Sequence, residues 1–288
     1  MEEFLSRRTI LGAATGALIT GLAPRLAVAQ GSGLLEKLRR DMVVRVGLTN
    51  GPPYASVNPD GSVDGVAPTL TRVVMERLGV PKVEGIVGNY GQMIPGLLAG
   101  RWDMIAADLA VTKARCEQVI FTDPFTSDHA AFAYIPSFVK DPPRSIKETG
   151  TRGVKIGMIS GTYMLPAVQA AQTVPNNITI FPDSPTLMEG LAARRVDIAF
   201  SGILVLREQR AQRNNSFEII YPMPDDPLHP SGGAFRPGDT DLIEAFKVEY
   251  RKLKASGEAE KIVKGFGFDV FNGHLEMTAE QACSESPV

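Results

Sequence analysis

Histidine, cysteine and tryptophan are scarce in this chain of 288 residues, which has three, two and one of them respectively. His129, His229 and His274 stand far apart with no ligand spacing around any of them. That argues against a metal site, and no cofactor motif stands out. An excess of one charge is also missing. Lys and Arg total 30 against 32 for Asp and Glu, a net charge of −2. Such a chain has no electrostatic footprint for nucleic acid or for an anionic membrane surface. Beyond the first thirty residues no apolar run is long enough to span a bilayer. The rest is ordinary globular composition, 44% hydrophobic and 22% charged, and long enough for one large domain or two medium ones.

The N-terminal stretch reads as a targeting segment rather than as structure. Ser6-Arg7-Arg8-Thr9-Ile10-Leu11 is a twin-arginine pattern, a Gly/Ala-rich apolar run follows, and Ala27-Val28-Ala29 is an A-x-A cleavage site. The expectation is export by the twin-arginine route, with residues 1–29 removed and a mature net charge of −3. The two cysteines, Cys116 and Cys283, would then meet an oxidising compartment. A bridge between them would close a loop of 167 residues, worth roughly 5 kcal/mol in the chain-entropy model. Two separate thiols are the alternative.

Along the chain, strand and helix patterns alternate. Residues 42–48 read as a strand, Asn58-Pro59-Asp60-Gly61 as a turn, 68–78 as a helix and 83–87 as a strand. Residues 87–115 then read as loop, short helix, buried strand over 102–107, loop and helix start. The plan restarts near residue 154 with a strand, a Ser160-Gly161-Thr162 turn, a helix, a strand at 178–181, an Asp183 or Ser184 cap and a strand at 196–201. An internal echo links the halves: Leu97 to Ile105 resembles Leu191 to Ala199, each with a helix end, a basic turn, an Asp and a buried strand. Two α/β lobes of one plan, with mainly parallel strands, follow from this alternation. Helices cover 241–256 and 258–265, and the last residues read as loose apart from Cys283.

Thr112 can cap the helix that begins there, leaving backbone N–H groups and the positive dipole end toward the loop. Arg115, one turn in, can offer a planar fork to a carboxylate. In the other half, Gly161 allows close backbone approach and Thr162 can donate N–H and O–H. Held between them, one anion would couple binding to lobe closure. Each motif alone is equally a simple capped helix or turn. Tyr54 and Tyr90 lie in loops where open α/β sheets bind ligands and can stack on a flat or cationic group. Asp108 stands just past a buried strand, where it could receive a ligand cation. Asp103 and Asp197 read as turn residues.

These residues resemble the polar amino-acid class (family 3) of periplasmic solute-binding proteins of ABC importers, over nearly the whole mature chain. The resemblance rests on Pro52-Pro53-Tyr54, Met93-Ile94-Pro95-Gly96-Leu97 with Gly100 and Asp103, Thr112 through Arg115, Phe121 through Phe125, Gly161-Thr162 and the run at 253–262. Asn89-Tyr90-Gly91-Gln92, Arg115-Cys116, Gly233 through Arg236 and the late Cys283 are similar to ectoine/hydroxyectoine-binding members. The resemblance implies a two-lobed type II periplasmic binding protein fold, each lobe a mixed sheet flanked by helices. Lobe 1 would comprise 30–136 and 229–288, and lobe 2 would comprise 137–228. It implies a periplasmic, monomeric receptor without catalysis that passes a small carboxylate or zwitterion to an inner-membrane permease. The implied ligand-binding set is Tyr54, Tyr90, Asp108, Leu109, Ala110, Arg115, Gly161, Thr162 and Ser201. Two departures stand out. Ser201-Gly202 occupies the place where amino-acid binders carry an Asp for the α-ammonium. Gly51 and Ala110 replace a glutamate and an aromatic of the ectoine type. An exported enzyme on the same fold, such as a cyclohexadienyl dehydratase, is the rival reading, with Asp108 as its general acid.

Overall fold

The computed structural model describes residues 33–268 and 276–286, so the targeting segment at 1–29 lies outside the described residues. Helix α1 (Leu34–Asp41) leads in, burying Leu35 and Leu38. Strand β1 (Val43–Leu48) follows, then a small hairpin of β2 (Ser56–Val57) and β3 (Val63–Asp64) around the Asn58 to Gly61 turn. Next come α2 (Val66–Arg77), β4 (Lys82–Val87), α3 (Tyr90–Leu98), β5 (Met104–Ala110), the single turn α4 (Lys113–Cys116), β6 (Ile120–Phe121) and β7 (Thr126–Asp128). The second half holds β8 (Ala130–Tyr134), α5 (Ile146–Arg152), β9 (Ile156–Ile159), α6 (Met164–Ala170), β10 (Ile178–Phe181), α7 (Ser184–Ala192), β11 (Ile198–Gly202), α8 (Ile203–Gln212) and β12 (Glu218–Ile220). The chain returns through β13 (His229–Phe235), α9 (Thr240–Ala255), α10 (Glu258–Gly265) and α11 (Ala279–Glu285).

These strands form two mixed sheets of one topology. The first runs β4-β1-β5-β13-β6, with β7 also on β13; the second runs β10-β9-β11-β8-β12. In each, the first three strands are parallel and the fourth is antiparallel. Helices cover the sheets, which makes a two-lobed α/β architecture. Strand β8, placed in lobe 1 by a boundary at 136/137, instead pairs with β11 and β12 in the second sheet. The crossing therefore falls between Asp128 and Ala130. A buried all-apolar strand gives no periodicity from which its sheet could be read. Among the described residues no helix is long and apolar enough to cross a membrane.

The internal echo is structural down to single hydrogen bonds. Gly100 and Arg194 both sit at positive φ, 71° and 58°. Arg101 N–H reaches Gly96 O at 2.9 Å and Arg195 N–H reaches Gly190 O at 2.9 Å. Asp103 then accepts from Arg45 N–H at 3.0 Å, and Asp197 accepts from Lys155 N–H at 2.8 Å. Each aspartate locks the end of one helix–turn unit to the start of the lobe's first parallel strand. Glycine makes that backbone free at 100, while Arg194 costs about 1 kcal/mol.

Two expectations change. Strand β5 runs three residues further than the 102–107 pattern, so Asp108 lies within the strand rather than past it. The C-terminal residues are also ordered in part. Thr278 and Gln281 form a capping box at the start of α11, Asp123 accepts Ala279 N–H at 3.1 Å, and Cys283 is disulfide-bonded to Cys116. The local pattern there is too short to announce a helix; the cap, Asp123 and the bridge hold it.

Candidate functional site

A cavity of about 350 Å³ opens between the two sheets, at the carboxyl ends of their parallel strands. Open α/β sheets bind ligands at that edge because loops and helix starts converge there. Lobe 1 supplies Tyr54 after β1, Tyr90 after β4, Asp108 and Ala110 from β5, and Arg115. Lobe 2 supplies Thr162 and Tyr163 after β9, Asp183 after β10, and Ser201 from β11. Seven of the nine expected residues therefore meet at one place. Leu109 does not. It is fully buried among Ile105, Ala107 and Phe121, because neighbours on a strand point to opposite faces and Asp108 and Ala110 take the cavity side. Gly161 is not a lining residue either; its backbone packs against Gly91 of α3, across the lobes.

Arg115 bridges the lobes, but not as expected. Its Nη1 donates to Ala110 O at 2.6 Å and its Nη2 to Gly161 O at 2.8 Å. Gly161 thus offers the guanidinium an acceptor rather than offering an anion a donor. Thr162 Oγ1 donates to Ile159 O at 3.0 Å. Helix α4 is a single turn, and Thr112 Oγ1 accepts Arg115 N–H at 3.3 Å, so its start is no anion site of its own. Any anion here answers to the guanidinium. Burial lowers the Arg115 pKa to about 10, with the Tyr90 and Tyr163 phenols opposing that, so the group stays cationic at neutral pH.

The same cavity is lined by two carboxylates from lobe 1. Asp108 is 4% exposed. Its Oδ2 accepts from Thr126 Oγ1 at 2.5 Å, and its Oδ1 has no partner among the described residues. Burial pushes its pKa up to about 7, with Asp128 adding to the rise and Thr126 opposing it. Asp128 accepts from Tyr54 Oη and from His129 N–H at 2.9 Å. Burial pushes it up to about 6 against those hydrogen bonds. The phenols remain neutral donors: burial drives Tyr90 up to about 12 and Tyr54 and Tyr163 further.

Asp128, Tyr163 and His229 were not legible as site residues. Tyr163 stacks on His229 with centroids 3.9 Å apart. Behind them, buried Asp226 accepts Ala130 N–H at 2.9 Å and lies 3.1 Å from His129 Nδ1. The polar run Thr126-Ser127-Asp128-His129 between two apolar strands was the available signal for the crossing.

Two sheets of one topology facing each other across a charged cavity define a two-lobed solute-binding protein of the type II periplasmic fold. Comparisons with known proteins agree. The profile of the bacterial extracellular solute-binding proteins, family 3, matches residues 44–137. A crystal structure of EhuB in complex with hydroxyectoine is 33% identical, with a TM-score of 0.81 over 87% of this chain and 97% of that one. A probable amino-acid ABC transporter periplasmic-binding protein, y4tE of Sinorhizobium fredii, is 26% identical over 95% of this chain and 93% of its own length. The histidine-binding periplasmic protein of Escherichia coli is 24% identical over 77% and 86%. The chain belongs to the family 3 bacterial extracellular solute-binding proteins.

Proposed function

We propose that this protein is the exported, periplasmic substrate-binding component of an ABC importer, and that it captures a small carboxylate or zwitterion by closing two lobes over it. The observation that carries the reading is Arg115, a half-buried cation at the cavity wall whose fork already joins Ala110 of one lobe to Gly161 of the other. A ligand carboxylate meeting that guanidinium would be bound and would report on closure at once. An amino acid or an ectoine-like solute fits the volume and the charges, and the binding functions named for the relatives support that class. The protein acts as a monomer, hands the solute to an inner-membrane permease and reaches the periplasm by the twin-arginine route. Calorimetry and thermal-shift screening of amino acids, ectoines and betaines on the mature protein test it. Failure of every one to bind would sink the reading.

One observation favours the rival. Asp108 with a pKa near 7 is suited to general-acid work. Turnover of prephenate or arogenate by the purified protein would move the conclusion to an exported dehydratase; binding without turnover keeps the receptor.

A further inference from the structure

We infer that Asp108, with Asp128 in the same cavity, holds a ligand cation that carries N–H groups (an ammonium, amidinium or guanidinium), and that lobe 1 alone therefore recognises both charges of the solute. The inference rests on the receptor reading and names its ligand class.

Asp108 carries it by three independent features. Asp108 lines the cavity, and its Oδ1 is buried with no hydrogen-bond partner among the described residues. A buried acceptor left unpaired is costly, and a donor arriving with the ligand removes that cost. Its backbone is set for the purpose. Leu109 pairs with Gly232 and Ile105 with Ala234, so β5 takes four steps where β13 takes two. Asp108 lies in that bulge at φ 49°, a conformation few side-chain-bearing residues adopt. Bulges re-aim a side chain, and strain of this kind collects at binding sites. Finally, Thr126 donates to the other oxygen and so holds the carboxylate's orientation from the same sheet.

The charges are divided unequally between the lobes. Arg115, Asp108 and Asp128 all belong to the first sheet or its loops. Lobe 2 brings neutral Thr162, Tyr163 and Ser201; its one lining acid, Asp183, is exposed and caps α7 through Thr186 N–H at 2.9 Å. A zwitterion docks on lobe 1, and lobe 2 closes over it with neutral groups. Quaternary ammonium compounds fit poorly. They have no N–H for Asp108 Oδ1, one of the lining rings is already taken, with Tyr163 stacked on His229, and Ala110 stands where a wall could have been aromatic.

The experiment is calorimetry on the mature protein with ectoine, L-arginine, L-histidine and L-proline against glycine betaine and proline betaine. At least one N–H zwitterion should bind, and each betaine should bind about 100-fold more weakly or not at all. In Asp108→Asn, affinity for the bound N–H probe should drop on the order of 100-fold, the cost of unpairing a buried charge. That variant keeps an acceptor for Thr126, and asparagine tolerates positive φ, so it should melt no earlier than the parent. Tighter binding of a betaine than of every N–H probe overturns the inference and leaves the receptor reading standing. So does an Asp108→Asn affinity within about threefold of the parent. Binding of none of the six overturns both.

Discussion

Substituting Gly161 by alanine tests closure with the smallest possible probe. Gly161 lies at φ 74°, and a Cβ built there falls 2.0 Å from Gly91 N and 2.4 Å from Gly91 Cα. Both atoms are backbone and cannot rotate away. Ordinary contact begins at 3.4 Å, so the lobes would have to part locally by about 1.4 Å. The same displacement would stretch the 2.8 Å bond from Arg115 Nη2 to Gly161 O beyond hydrogen-bond range. Loss of a bond to a charged donor costs roughly 1.5–3 kcal/mol, which is about 10- to 150-fold in affinity if the closed form is the one that holds ligand. A separate strain of about 1–2 kcal/mol from alanine at positive φ falls on folding in either form. Calorimetry with the ligand found, small-angle scattering with and without it, and melting of the free protein separate the two. Affinity within threefold of the parent, with ligand-induced compaction intact, would refute the geometric argument.

Arg115→Ala should weaken any carboxylate ligand at least about 100-fold, and Arg115→Lys should recover only part of this because an ammonium has no fork; calorimetry reads both. Affinity for an N–H cation should rise with pH through about 7, since Asp108 must be ionised to hold it, with a loss of roughly 100-fold at about pH 5 relative to about pH 8. Around Asp108 stand Asp128, pushed to about 6, His229, Arg115, Tyr54, Tyr90, Tyr163 and, from α9, Tyr250; the Asp108→Asn profile isolates the share of Asp108. The raised pKa also makes the ligand-free fold less stable as pH rises from about 4 toward about 7, because the native state holds that proton more tightly than the unfolded chain. Asp108→Asn should flatten that decline in denaturant titrations. Replacing both cysteines by serine removes a tie across 167 residues and should lower the denaturant midpoint, with a ceiling of roughly 5 kcal/mol.

The local grammar of the chain determined much of this molecule. Alternating strand and helix patterns, caps at Thr112 and Asp183, the turn at Asn58 to Gly61 and the paired runs ending in Asp103 and Asp197 are all short-range features. They depend on dihedral preference and on one face being apolar, and both can be read from neighbouring residues. The two-lobe plan and most of the cavity wall followed from them. Tertiary structure alone decided the rest. Arg115 finds Gly161 O from 46 residues away, and Asp226 secures Ala130 from 96. Strand β8 could join its sheet only through partners at 198–202 and 218–220. The place of β5 in its sheet puts Asp108 on the cavity side and Leu109 in the core, although both sit in one buried strand. Hydrophobic pattern reports that a residue is buried; which partners it meets there depends on register and on the packing of distant segments.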